Sequence, residues 1–126
     1  MSLRTPLSKV KGLGAAKEGA SHWWNQRMTA IALIPLALWF TFSIALMAVA
    51  DFTTVTAWLA SPFTTGLMIL VICVGFYHGY LGLQVIIEDY VSNESTKITM
   101  LIAIALFAVF FATLGVVSVL KISFGA

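Results

Sequence analysis

Few residues in this chain carry side chains able to do chemistry, and most of them fall in one stretch, GFYHGYLGLQVIIEDYV, from Gly75 to Val91. His78 lies deep inside an otherwise apolar run, and Glu88, Asp89 and Tyr90 close that run. A titratable group at mid-depth of a membrane-length segment is costly, so it counts as a functional-site hypothesis by default. On a helix, His78, Gly82, Val85 and Asp89 share one strip, and Gly75 and Gly79 sit on neighbouring rotations. Glycines there let another backbone or a flat ligand come close. The imidazole could then give one nitrogen to a metal while a further group fixes the other. A packing role competes with this. Gly75 and Gly79 also form a small-xxx-small pair of the kind that packs transmembrane helices, and His78 could hydrogen-bond to a neighbouring helix. Spacing alone leaves both readings open.

The remaining polar groups divide in the same way. Asp89 and Tyr90 stand where the apolar run ends; a phenol there could donate to a quinone carbonyl, with the carboxylate orienting it. Interfacial tyrosine is also routine. Arg27, at the mouth of the first apolar run, either snorkels to lipid phosphate or pairs with an anionic group of a buried ligand. His22 has the same two readings. Cys73 is the single cysteine, which excludes an internal disulfide, and at mid-span it reads as a small apolar residue. There is no repeat, phosphate loop or nucleophile motif, and no nucleic-acid partner is expected.

The elements that must hold these groups follow from composition. Of 126 residues, 60% are hydrophobic and only 10% charged, with mean hydropathy +0.99. Soluble domains carry about 25% charged residues, so this chain reads as an all-α integral membrane protein. Met28–Ala50, Phe63–Ile87 and Ile98–Leu120 contain no Asp, Glu, Lys or Arg. Each exceeds the roughly 20 residues that cross a bilayer core. Three transmembrane helices are predicted, at about 28–50, 63–89 and 97–120, within one membrane-anchor domain. Arg4, Lys9, Lys11, Lys17 and Arg27 precede the first span, whereas the 51–62 loop has no cation and the 88–97 loop has one. Positive-inside counting puts the N-terminus on the cytoplasmic side and the C-terminus outside. The first apolar run is too long for a signal-peptide core, so cleavage is not expected.

Local signals fill in the rest. Residues 1–20 read as a loosely ordered basic segment, for anionic headgroups or a cytoplasmic partner. Trp23 and Trp24 form an aromatic belt, and Pro35 predicts a kink in the first span. Residues from Asp51 read as a short outer loop with Trp58 as an interface anchor. Ser61–Pro62 reads as a capping hydroxyl followed by a first-turn proline. Ser95 or Thr96 is the expected cap of the third helix, which reads as a packing helix.

If His78 ligates a haem, no second axial ligand exists within the chain. His78 lies nine residues, about 13 Å, from the inner end of its helix, out of reach of His22 at the inner edge. A membrane partner is then implied.

His78, ten intervening residues and then Asp89–Tyr90 resemble the small hydrophobic membrane anchor, the D-type subunit, of succinate dehydrogenase (respiratory complex II). HWWNQRMTAIALIPL is similar to alphaproteobacterial members of that family, and GLQVIIEDYV to the end of its second helix. The resemblance covers roughly residues 21–92; the third helix matches in length and character only. It implies His78 as one axial ligand of haem b, with the other from a C-type anchor subunit. Gly75, Gly79 and Gly82 would give the haem clearance, and Arg27 would approach its propionates. Tyr90, with Asp89 beside it, would hydrogen-bond ubiquinone. Iron–sulfur and flavoprotein subunits and the lipid of a bacterial inner membrane complete the implied partners. The chain would take part in a succinate dehydrogenase without being catalytic alone. The alternatives are the anchor of a fumarate reductase using menaquinone, and a cofactor-free structural membrane subunit.

Overall fold

The computed structural model describes residues 13–125, with side chains described from Gly19 onward. The expectation of a loosely ordered basic segment lies outside the described residues for 1–12. From Leu13 it is corrected, because the chain is already helical there. Four helices follow one another: α1, Leu13–Met47; α2, Phe52–Ala60; α3, Pro62–Tyr90; and α4, Glu94–Ser123. Three of them are long and apolar enough to cross a membrane: Gly19–Met47 of α1, α3 and α4. The described residues hold no strand, so the all-α, three-span architecture read from composition is the architecture found.

α1 runs through Pro35 without a break in its helical assignment. The proline takes a backbone donor from Ile31, a loss that membrane helices tolerate. α2 occupies the stretch expected to be a loop. Asp51 makes the difference: its carboxylate accepts from the Thr54 backbone N–H at 2.9 Å and caps nine helical residues. Hydrogen bonds from Thr54, side chain first and backbone second, hold the Asp51 carboxyl below its ordinary value of 3.8. Trp58 reaches across to stack on Trp39 of α1, with centroids 6.0 Å apart.

Ser61 alone separates α2 from α3, and Pro62 takes the first turn of α3 as expected. The capping hydroxyl is not used, since the Ser61 side chain makes no cap bond. Its carbonyl instead accepts from the Thr65 backbone N–H at 2.8 Å. Thr65 gathers three elements. Its hydroxyl oxygen is 2.8 Å from Leu59 O, 2.9 Å from Ser61 O and 2.9 Å from Ser123 Oγ of α4. At the other end of the bundle the cap of α4 is Asn93, which accepts from Thr96 N at 3.0 Å, rather than Ser95 or Thr96. Asparagine outranks threonine as a cap, its short side-chain carbonyl being well placed to accept from the amide three residues on. Glu94 in the first turn and Lys121 in the last complement the dipole of α4.

α3 is the axis of the fold. It packs on α1 along one side and on α4 along another, and α2 closes one end against α3 and α4. The core this leaves is thin. Leu36, Leu81, Ile87, Val119 and the two threonines Thr64 and Thr65 are buried, while large side chains such as Leu38, Phe42, Phe63 and Leu106 are about two-thirds exposed. A water-soluble protein rarely leaves so broad an apolar surface bare; on helices of this length it suits the interior of a bilayer. Lipid is as apolar as leucine, so helix association depends on close packing and on hydrogen bonds. Gly115 of α4 shows the first. A Cβ there would lie 3.2 Å from Ile72 of α3, so the backbone approaches because glycine stands there.

Candidate functional site: the His78 seam between the first and third helices

The side of α3 that meets α1 carries its polar groups. Asn25 Nδ2 donates to Tyr77 Oη at 3.2 Å, and His78 Nδ1 lies 2.9 Å from Thr29 Oγ1. One turn further in, Gln26 packs over Gly82, its Nε2 3.6 Å from where a Cβ would stand. His22, Gln26 and Thr29 repeat along one strip of α1 at spacings of four and three, which points all three the same way. Two of these groups have buried atoms without a partner among the described residues, His22 Nε2 and Gln26 Oε1. Buried polar atoms in native proteins are paired with protein, water or ligand, so these two atoms call for partners beyond the described residues.

His78 is partly exposed and only its Nδ1 is engaged; Nε2 makes no hydrogen bond among the described residues. An imidazole tied at one nitrogen and free at the other is the arrangement a metal ligand requires. No cluster of three His, Cys, Asp or Glu residues lies among the described residues, so any ion here would arrive inside an organic group or be shared with another subunit. A Cβ built on Gly75 or Gly79 would meet nothing within 4 Å, and both glycines open onto a groove of about 390 Å³ with Leu83, Ile104 and Phe107. Gly82 differs from them, because Gln26 already occupies the space beside it. Gly75 and Gly79 thus leave open space on the side of α3 toward α4, in a groove that does not include His78, whereas Gly82 lies against Gln26 of α1.

The other residues singled out by sequence stand apart. Arg27 is exposed on a different face of α1 from Thr29, its guanidinium 4.9 Å from the Trp23 ring centroid in a cation–π contact. Trp23 in turn stacks with Trp24. Asp89 and Tyr90 end α3, and Tyr90 is 84% exposed, so within this chain the phenol is held by its backbone alone. Glu88 is tied to its own helix by Gln84, at 3.0 Å. Twelve positions separate His78 from Tyr90, about 18 Å along the helix. Cys73 is exposed on the far side of α3, in an apolar groove of about 480 Å³ with Tyr77, Tyr80 and Ala112. Sequence reasoning misses Asn25, Gln26 and Thr29. The signal is present, a run of polar residues entering an apolar span at helical spacing, but it merges with the aromatic belt.

Fold and site together define a multi-pass integral membrane protein with one deep histidine, held at Nδ1 by a neighbouring helix and partly exposed. The sequence model of the succinate dehydrogenase/fumarate reductase transmembrane subunits matches residues 1–114, and the chain belongs to that family. A succinate dehydrogenase hydrophobic membrane anchor subunit of Rickettsia bellii is 34% identical over 106 residues, 84% of this chain and 85% of that one. A succinate dehydrogenase membrane anchor subunit of Reclinomonas americana is 34% identical across 74% of this chain and 80% of its own. The hydrophobic membrane anchor subunit of Paracoccus denitrificans is 29% identical across 79% and 78%. Membership implies assembly with the other subunits of such an enzyme.

Proposed function

We propose that this transmembrane subunit anchors a succinate:ubiquinone oxidoreductase in a bacterial inner membrane, with His78 as an axial ligand of haem b and Tyr90 and Asp89 in the ubiquinone-reducing site. The second axial ligand would come from a C-type anchor subunit, and electrons would arrive through an iron–sulfur subunit fed by a flavoprotein. The observation that carries the reading is the state of His78: Nδ1 held by Thr29, Nε2 without a partner among the described residues, and the open surface of Gly75 and Gly79 beside it. Haem b, when bound, supplies a one-electron store within the membrane. His78 would hold it, and the two glycines would admit its ring.

Arg27 and His22 mark the depth at which acidic groups of such a ligand would be met. Arg27 swings from the Trp23 ring at modest cost, because an exposed cation–π contact contributes about 0.5–1 kcal/mol. Tyr90 would donate its phenolic proton to a quinone carbonyl, and Asp89 would orient headgroup and proton supply at the inner face. The exposure of Tyr90 fits a side chain whose contacts are made by ligand and partner subunits. The basic N-terminal segment would lie on the cytoplasmic side and the C-terminus on the periplasmic side.

The test is a reduced-minus-oxidised optical spectrum of the complex purified through this chain, for wild type and His78→Ala. A b-type signal lost or altered in the variant is the expected result. An unchanged signal removes the ligand assignment and leaves His78 a packing residue. Absence of haem from both intact complexes would leave the anchor role alone.

A further inference from the structure

We propose that Thr29 is a positioning residue for His78: its hydroxyl accepts the Nδ1–H of the neutral imidazole, fixing the tautomer and ring plane that present Nε2 as an electron-pair donor. This rests on the reading of His78 as a haem ligand and adds to it a residue on another helix. The argument starts from the threonine. Its single proton has two backbone acceptors within reach in its own helix, Asn25 O at 2.8 Å and Gln26 O at 3.1 Å. A hydroxyl that gives its proton to the preceding turn can offer only lone pairs elsewhere. The nitrogen 2.9 Å away must then carry the hydrogen.

The opposite arrangement has Thr29 donating to Nδ1 and the ring proton on Nε2. That proton would have no acceptor among the described residues, and within an apolar bilayer core an unpaired N–H is costly. The Nδ1–H tautomer leaves no such group. It also makes the ring a better donor, because a hydrogen bond from the distal N–H pushes electron density toward the coordinating nitrogen.

The register is fixed on both sides of the contact. Tyr77, the neighbour of His78, is held by Asn25, and Gly82, one turn inward, is covered by Gln26. Thr29 is therefore presented to His78 by two flanking contacts, and among the described residues its hydroxyl is the one group of α1 that hydrogen-bonds the imidazole.

The experiment uses the intact complex carrying Thr29→Val, Thr29→Ser, His78→Ala and, as a control, Thr113→Val, whose hydroxyl bonds to Val109 O of its own helix. Haem content per complex, the low-spin electron paramagnetic resonance spectrum and the haem midpoint potential are measured. Thr29→Val keeps the shape of the side chain and removes the acceptor. It should lower haem retention roughly tenfold under a stringent detergent wash, in line with loss of a residue behind a metal ligand. It should also raise the midpoint potential, because a weaker donor stabilises the oxidised iron less. Thr29→Ser should restore both, and Thr113→Val should change neither. Wild-type potential and spectrum in Thr29→Val, with haem lost in His78→Ala, would overturn the role of Thr29 while leaving the ligand intact. A haem signal that survives His78→Ala would overturn the ligand reading itself, and this proposal with it.

Discussion

The two sides of α3 are built on opposite principles. Toward α4, apart from the Thr65–Ser123 hydrogen bond at one end, it is apolar and close: Ile72 meets the bare backbone of Gly115, and Phe76 and Tyr80 line grooves with alanines of α4. Toward α1 it is polar and specific: Tyr77, His78 and Gly82 meet Asn25, Thr29 and Gln26 one for one. The first seam holds the hairpin together, because van der Waals packing is the main attraction available between helices in lipid. The second seam contributes less to cohesion and much more to register. Hydrogen bonds across membrane helices average about 0.6 kcal/mol, yet each is made in one alignment only. If His78 is a ligand as proposed, this division separates cohesion from aiming.

Breaking the apolar seam should have the largest effect. Gly115→Leu forces a branched side chain into a space where even a Cβ is 3.2 Å from Ile72. Overpacking of this kind costs about 1–3 kcal/mol, so the yield of intact complex on a native gel should fall several-fold. Gly75→Ala and Gly79→Ala place their methyls in open space within this chain and should leave its own folding unharmed. A drop in haem content in those two variants, with assembly intact, would locate the bound ring on that face.

The end of α3 gives an intermediate effect. Tyr90→Phe removes one phenolic donor and disturbs little else in the chain, given its exposure. Succinate-driven ubiquinone reduction should fall about tenfold, the worth of one well-placed hydrogen bond, with the haem spectrum unchanged. Loss of haem together with activity would instead mean that Tyr90 holds the assembly.

The polar seam yields a smaller change. Tyr77→Phe removes the Asn25 contact and should cost about 0.6 kcal/mol of helix association. That is a small shift in thermal stability, accompanied by a visible change in the haem spectrum because register is lost. If stability falls as far as in Gly115→Leu, the division between cohesion and aiming fails.

The smallest effect is at α2. Asp51 has its folded pKa depressed below 3.8 by Thr54, so its contribution to the cap is fully present above that value. It is lost as pH falls through the folded value. Protease cleavage within 52–60 should rise on acidification below about pH 4 in wild type, and Asp51→Ala should be cleaved equally at both pH values.

How much is legible in the chain varies by level. The second and third spans emerge within three residues of their observed ends, since an apolar run needs no tertiary information to be recognised. The first is placed at 28–50, whereas its helix starts at Leu13, because polar residues ahead of the apolar run hide the helix that precedes it. The helix at 52–60 is hidden because nine residues between two spans, with threonines and a tryptophan, carry no periodic signal; its cap at Asp51 is the clue. Sequence places the cap of α4 two or three residues late, because Asn93 looks like part of the loop before it. At the site, residue type and spacing pick out His78, Gly75 and Gly79. They pass over Thr29, because a threonine near the start of an apolar helix looks the same whether it faces lipid or a histidine.

The sequence by itself determined that this protein lives in a membrane, crosses it three times, and carries one imidazole where burial makes a charge expensive. Those are properties of composition along a line. Only the tertiary structure decided that α3 stands between α1 and α4, that Gly82 lies against Gln26 while Gly75 and Gly79 face open space, and that His78 turns Nδ1 to Thr29. Hydropathy gives all three helices the same reason to be in lipid and none to face each other in one rotation. That choice falls to single glycines and single hydrogen bonds between residues about 50 positions apart.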